Sequence, residues 1–277
     1  MSIVKCPVCD KTLFKYEKTY KCMNNHSFDI SSKGYTNLML ANQSFSDSSG
    51  DDKEMILARK DFFDLDKYHC LKEKLLELVR KYHKKEKMNF LDIACGEGYY
   101  TNFLHRTMSM IYQVKSFGID ISKFAIHEAN KKKRMENLEN IEYFIANLSK
   151  LPFIDNSLSL MLNCFAPIDE SEFYRVLDSE GVYIRVLPGK NHLLGLKNIL
   201  YENAYLNEKK SETIEGLTLM EEVEISDNMV LETNSDIMNL FKMTPYYYKT
   251  SLSAIDKLKQ LDKLETEISF LIRVYIK

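Results

Sequence analysis

Between Asn89 and Leu187 short apolar runs alternate with amphipathic stretches, and this alternation restricts the possible folds more than any other feature. The runs are "NFLDIA" (89–94), "SFGID" (116–120), "IEYFIA" (141–146), "LSLMLN" (158–163) and "GVYIRVL" (181–187). Each has the length and β-branched or aromatic content of a strand buried on both faces. Helical patterns fall between them, at about 99–110, at 122–134 and around Phe173, Val176 and Leu177. Strands that alternate with helices pair in parallel through crossovers, which predicts an α/β, doubly wound sheet with helices on both faces. Upstream the pattern turns helical at Lys53, and Leu71, Leu75, Leu78, Val79 and Tyr82 make one apolar stripe at helical spacing. Downstream we expect a long helix over 191–208, late strands at 217–226 and 266–277, and a helix near 234–242.

A chain of 277 residues, 45% hydrophobic, suits one ordinary domain and a small appendage, or two domains. No run reaches the roughly 18 apolar residues of a membrane span, and no apolar stretch follows a basic start. Six cysteines fit a reducing cytosol better than a disulfide framework, so a cytoplasmic protein without membrane contact is expected.

The appendage is legible at 1–40, with a polar linker at 41–53 and the α/β domain at 54–277. Cys6 and Cys9 form a C-x2-C knuckle; twelve residues later Cys22 and His26 form C-x3-H. Two such knuckles can close a tetrahedron of three sulfurs and one nitrogen, a structural zinc coordination with no position left for substrate. Phe14, Tyr16, Tyr20 and Phe28 are candidates for its small core, and the metal would supply most of its folding energy. Loss of metal should then unfold the ribbon alone. Net charge is −2, but six lysines stand against three acids in residues 1–40, and further basic clusters lie at 81–87 and 131–134. Residues 208–236 carry nine acids against two lysines. Basic charge on a zinc ribbon suits a phosphate backbone, with Lys15, Lys18 and Lys21 as the grip.

"LDIACGEGYYT" (91–101) places a strand end at Asp92, a turn with Gly96 and Gly98, and a helix start near Tyr99. The glycines let backbone pass beneath a ligand where a Cβ would collide. The dinucleotide fingerprint is broken, because its third glycine is Thr101. Asp120 ends the next strand, where an acid can bind both ribose hydroxyls. Asn147 and Leu148, in "ANLSKLPF" after the third strand, would border an adenine. Three ligand-facing loops in succession at consecutive strand ends suit S-adenosylmethionine better than NAD.

These pieces together resemble the bacterial RlmA family of 23S ribosomal RNA guanine-N1 methyltransferases, which join a zinc ribbon to a Rossmann-like S-adenosylmethionine-dependent methyltransferase domain. The resemblance runs almost end to end. It is carried by "CPVC", "CMNNH", "FDISSKGYTNL", "GDDKEMILARKDFF", "LDIACGEGYYT", "FGIDISKFAI", "LPF", "FAP", "PGKNHLLGLK" and "MTPYYY". It implies Zn²⁺ on Cys6, Cys9, Cys22 and His26, and methyl-donor contacts from Tyr68, the Glu97-Gly98-Tyr99 turn and His192. It also implies 23S rRNA as partner, and a homodimer is expected. Two stretches depart from the family pattern. Gln43–Ser46 replaces basic residues in the linker, and Ser179-Glu180-Gly181 replaces a glycine pair. "EGLTL" (215–219) is similar to the Gram-negative-type branch.

Methyl transfer needs alignment more than a nucleophilic side chain. Guanine N1 carries a proton and needs an acceptor. Candidates follow the fourth strand in "NCFAPIDE": Asn163 or the Phe165 carbonyl at the guanine edge, and Asp169 as proton acceptor, although Asp169 equally suits a helix cap. Two other readings are a small-molecule methyltransferase and a non-catalytic zinc RNA-binding protein. The lysine-bearing ribbon speaks against the first, and intact Asp92, Gly96, Gly98 and Asp120 against the second.

Overall fold

The computed structural model describes residues 2–40, 52–209 and 211–277. The expected linker departure at Gln43–Ser46 lies outside them. Three short strands, β1 (Phe14–Tyr16), β2 (Thr19–Lys21) and β3 (Ser27–Asp29), form an antiparallel ribbon. β4 (Thr36–Asn37), α1 (Lys53–Asp64) and α2 (His69–Tyr82) follow. The α/β core then runs β5 (Lys87–Ile93), α3 (Tyr99–Met108), β6 (Gln113–Asp120), α4 (Lys123–Met135), β7 (Ile141–Ile145), β8 (Leu158–Cys164), α5 (Glu170–Val176) and β9 (Leu177–Pro188). The chain ends with α6 (Leu194–Leu200), β10 (Thr218–Leu231), α7 (Asn234–Lys242), α8 (Leu252–Lys259) and β11 (Leu264–Ile276).

One sheet orders these strands β10-β11-β9-β8-β5-β6-β7-β4. β9, β8, β5, β6, β7 and β4 are parallel, and β11 and β10 extend the sheet antiparallel at one end. The α/β sheet expected from the alternation is therefore present, and its parallel strands end on one edge. On one face Phe90, Leu160, Leu162 and Ile184 pack beneath Leu71, Leu75, Leu78 and Leu104 of α2 and α3. α2 and α3 thus bury the stripe read from the sequence.

The opposite face carries the expected helix α5, with the ribbon beside it. No helix lies between β7 and β8. Leu91, Phe117, Phe144 and Tyr183 are covered there by α5 and by the ribbon, whose Val4, Leu13 and Tyr20 join the same core. Tyr20 meets Phe144 edge to face at 5.7 Å, and Lys15 pairs with Glu142 at 3.2 Å. Val4 bridges Phe153, the Lys5 N–H donates to the Pro152 carbonyl at 2.8 Å, and β4 adds a parallel strand to β7. Of the four aromatics expected inside the ribbon, only Tyr20 is fully buried; Phe28 is partly so, while Phe14 and Tyr16 face outward. Alternation explains the split, because Phe14 and Tyr16 lie on the face of β1 opposite to Lys15.

The long helix expected over 191–208 is only α6, seven residues. Lys197 is fully buried, and its ammonium donates to the Tyr205 carbonyl at 3.2 Å and to Asn207 Oδ1 at 2.8 Å. A buried ammonium needs acceptors, and the chain after Leu200 folds back to provide them. The late strands are longer than expected, and α8 was not marked by the apolar pattern. Among the described residues no helix is long and apolar enough to cross a membrane.

Candidate functional site

The ribbon brings Cys6, Cys9, Cys22 and His26 together. Their ligand atoms all lie within 4.8 Å of one another. Cys9 Sγ is 3.7 Å from Cys22 Sγ, and His26 Nδ1 is 3.3, 3.4 and 3.6 Å from the sulfurs of Cys9, Cys22 and Cys6. A tetrahedron with Zn–S near ~2.3 Å and Zn–N near ~2.0 Å has edges of roughly 3.5–3.8 Å. The donor set fits Zn²⁺ in a closed, structural site. Each knuckle is turned by a left-handed residue that tolerates this conformation, Asp10 at φ 59° and Asn25 at φ 61°.

The second centre lies where β5, β6 and β7 end. After Ile93 the chain passes through Ala94, Gly96 and Gly98 at φ 52°, 56° and 80°, then enters α3. A Cβ on Gly98 would stand 2.7 Å from the Tyr143 hydroxyl and 3.1 Å from Ala129, so this glycine permits close packing of α3 against α4. Among the described residues a Cβ on Gly96 would meet only the Arg59 guanidinium, at 3.7 Å, which leaves room for a ligand among them. Asp120 steadies the turn. One of its oxygens accepts the Gly96 N–H at 3.0 Å and the other the Ser122 N–H at 2.8 Å.

Asp92 has another role. Its carboxylate is buried and accepts the Thr101 hydroxyl at 2.5 Å, which ties β5 to α3 inside the protein and not at the open edge. Burial, opposed by Thr101 and reinforced by the charges of Glu97 and Asp120, raises its pKa from 3.8 to about 7. An acid with a raised folded pKa binds more protons folded than unfolded between those two values. Its contribution to stability therefore falls as pH rises from 3.8 to about 7 and is level above. Asp92→Asn should flatten the decline in urea stability of the ligand-free protein across that window. An unchanged pH slope in the variant would show that the decline originates elsewhere.

Glu97 is buried, and its Oε1 has no hydrogen-bond partner among the described residues. Burial raises this carboxyl's pKa, while the charges of Arg59 and Lys132 oppose the shift. Such an acceptor suits the ammonium of an amino-acid ligand. Tyr68 and His192, far apart in the chain, meet at 3.3 Å. The Ser269 N–H donates to His192 Nδ1 at 3.2 Å, and burial lowers the imidazole pKa to about 4. His192 is thus neutral, with its proton on Nε2 facing the Tyr68 oxygen. Burial also keeps Tyr68 a phenol, leaving its own proton available to a ligand. Tyr99 stacks on Phe63 with ring centroids 4.2 Å apart and donates to Asp66 at 2.6 Å. Asn147 accepts the Ser149 N–H at 3.1 Å, and Leu148 packs against the core shared with the ribbon.

At the end of β8 both halves of the Asn163 amide are engaged, donating to the Pro167 carbonyl at 2.8 Å and accepting the Ala166 N–H at 3.1 Å. Asn163 therefore shapes the turn that presents Phe165, at φ 62° and 43% exposed, 6.1 Å from His192 and 6.2 Å from Phe270. Asp169 caps α5, accepting the Glu172 N–H at 3.1 Å and the Ser171 hydroxyl at 2.8 Å. Neither side chain is thereby placed as a proton acceptor. Arg59, Phe63 and Phe270 were missed as site residues. Arg59 lies in the quoted "GDDKEMILARKDFF", but its nearness to Gly96 spans two elements that no local pattern connects.

Residues 4–46 match the family model described as "RlmA, N-terminal", a zinc ribbon, and residues 84–244 match the one described as "Methyltransferase domain". The protein YxjB of Bacillus subtilis (strain 168), provisionally named a 23S rRNA (guanine-N(1)-)-methyltransferase, is 29% identical over 213 residues, covering 73% of this chain and 70% of that protein. The 23S rRNA (guanine(748)-N(1))-methyltransferase of Streptomyces fradiae is 27% identical over 198 residues, covering 71% and 67% respectively. The solved structure of the YcgJ protein from Bacillus subtilis is 18% identical and superposes with a TM-score of 0.47, covering 73% of this chain and 97% of that one. With more than half of its length matched by one model, and the cluster of Cys6, Cys9, Cys22 and His26 within the other, this chain belongs to the methyltransferase-domain family and carries an RlmA-type zinc ribbon.

Proposed function

We propose that this chain methylates N1 of a guanine in a hairpin of 23S ribosomal RNA, using S-adenosylmethionine, in the cytoplasm and as a homodimer. The observation that carries this reading is the docking of a lysine-bearing ribbon against β7 and the loop at 146–153, which borders the cofactor edge. A small substrate would have no use for that second surface. The two relatives above carry the same reaction in their names. The open edge of β10, with Leu219 and Met220 46% and 50% exposed, supports self-association.

When bound, S-adenosylmethionine supplies an electrophilic methyl on a sulfonium centre, and the protein supplies placement. Asp120 would hold the ribose hydroxyls. Glu97 would accept the donor's ammonium, and Arg59 and the Tyr68 phenol would face its carboxylate. Asn147 and Leu148 would border the adenine. On the acceptor side the Phe165 carbonyl accepts no hydrogen bond among the described residues and can accept one from the guanine's exocyclic amino group, while the N1 proton is released to solvent as the methyl leaves the sulfonium. The exposed Phe165 ring can stack on the base. A guanine in a hairpin loop reaches this position without the cost of leaving a paired stem.

Purified protein should transfer labelled methyl to bulk 23S rRNA and not to a pool of small metabolites. Primer extension on rRNA from cells with the gene should stop at one guanine that is read through without it, because N1 methylation blocks pairing. Labelled metabolites with unlabelled rRNA would overturn the proposal.

A further inference from the structure

We infer that the outward face of the zinc ribbon is a stacking platform for two adjacent unpaired nucleobases of the RNA, formed by Phe14 and Tyr16. The inference deepens the RNA reading above and rests on it. In the ribbon, Phe14 pairs with Lys21 and Tyr16 with Thr19, while Lys15 pairs with Tyr20. Side chains alternate along a strand. Lys15 and Tyr20 therefore turn inward, to Glu142 and Phe144, and Phe14 and Tyr16 turn outward.

Phe14 is 41% and Tyr16 56% exposed, and neither ring stacks on another among the described residues. The metal holds the ribbon together and Tyr20 anchors it to the sheet, so neither task is left for these two rings. Residues i and i+2 of a strand stand about 6.8 Å apart on one face. That span admits successive bases of an extended strand, each on its own ring. Lys21 stands opposite Phe14 on this face, and the charge of the ribbon as a whole matches a phosphate backbone. Lys11, Lys18 and Lys21 are exposed and make no ion pair among the described residues, against Glu17 in the turn and Asp29, which pairs with Thr19 in the row of Tyr16. Lys15, the fourth lysine of this segment, is already paired with Glu142. Stacking tolerates any base, because each has a π face. The platform would thus anchor an unpaired stretch beside the target hairpin without reading its sequence.

The test uses the full chain loaded with zinc, a fluorescent twelve-nucleotide single-stranded RNA, and a fully paired RNA duplex of the same length. Phe14→Ala with Tyr16→Ala should weaken single-strand binding at least about tenfold. Duplex binding, the salt slope, zinc content and S-adenosylmethionine affinity should not change. Phe14→Tyr with Tyr16→Phe keeps both rings and should keep the affinity. Lys21→Ala should reduce the salt slope by about one counterion. Unchanged single-strand affinity in the double alanine variant with full zinc overturns the platform, as does equal loss for strand and duplex. A change only in self-association likewise overturns it, by giving the face to protein. Methyl transfer to 23S rRNA is scored separately. Its absence in the unaltered protein, with single-strand binding still lost in the variant, would remove the proposed reaction and leave the platform.

Discussion

Cys22→Ser is expected to abolish zinc binding and to lower the unfolding midpoint of the α/β domain together with that of the ribbon. From the sequence alone only the ribbon should unfold. The structure changes this expectation, because Val4, Leu13 and Tyr20 cover Leu91, Phe117 and Phe144 in one core. Structural zinc contributes on the order of 10 kcal/mol to small metal-folded units, beyond the about 2–5 kcal/mol of a single large core truncation. A ribbon released from its metal would also expose a face of the sheet that no helix between β7 and β8 replaces. Elemental analysis should show one zinc per unaltered chain and none in the variant. Hydrogen exchange should then rise in β6 and β7 as well as in β1–β3. An α/β domain that melts at its original temperature beside an unfolded ribbon would establish that the two parts are energetically separate.

Asp120→Ala is expected to weaken S-adenosylmethionine binding by about 1.5–3 kcal/mol, the range of charge-assisted hydrogen bonds. That corresponds to roughly 10- to 150-fold in Kd. Two effects act in the same direction. The ribose would lose its acceptor, and the Gly96 and Ser122 N–H groups would lose the carboxylate that holds the turn. Asp120→Asn keeps one acceptor oxygen and should lose less. Calorimetry on both variants separates the contributions, and an unaltered affinity in the alanine variant would mean that the donor binds elsewhere.

Much of this site was legible because its signals are local. The knuckles at Cys6–Cys9 and Cys22–His26 are fixed by spacing within a few residues, and the Gly96–Gly98 turn by its place after an apolar strand. Asp120 follows by the same logic at the next strand end. Asp92 sits in the same legible stretch, yet its side chain points inward, because only the packing of α3 decides what Thr101 can reach. Asn163 and Asp169 lie in the right loop, but the turn and the α5 cap take up their polar atoms.

By itself, then, the sequence determined the strand and helix order from β5 to β9, the parallel core, the grouping of Cys6, Cys9, Cys22 and His26, and the glycine turn at the strand edge. These depend on periodicity and spacing, which neighbouring residues carry. Tertiary structure alone decided that Tyr68 meets His192, that Arg59 stands by Gly96, and that the chain after Leu200 folds back onto Lys197. It also decided that the ribbon is the missing cover of one sheet face, with Tyr20 turned in and Phe14 and Tyr16 turned out. Each is a contact between segments far apart in the chain, set by which apolar face remains to be buried once the local elements have formed.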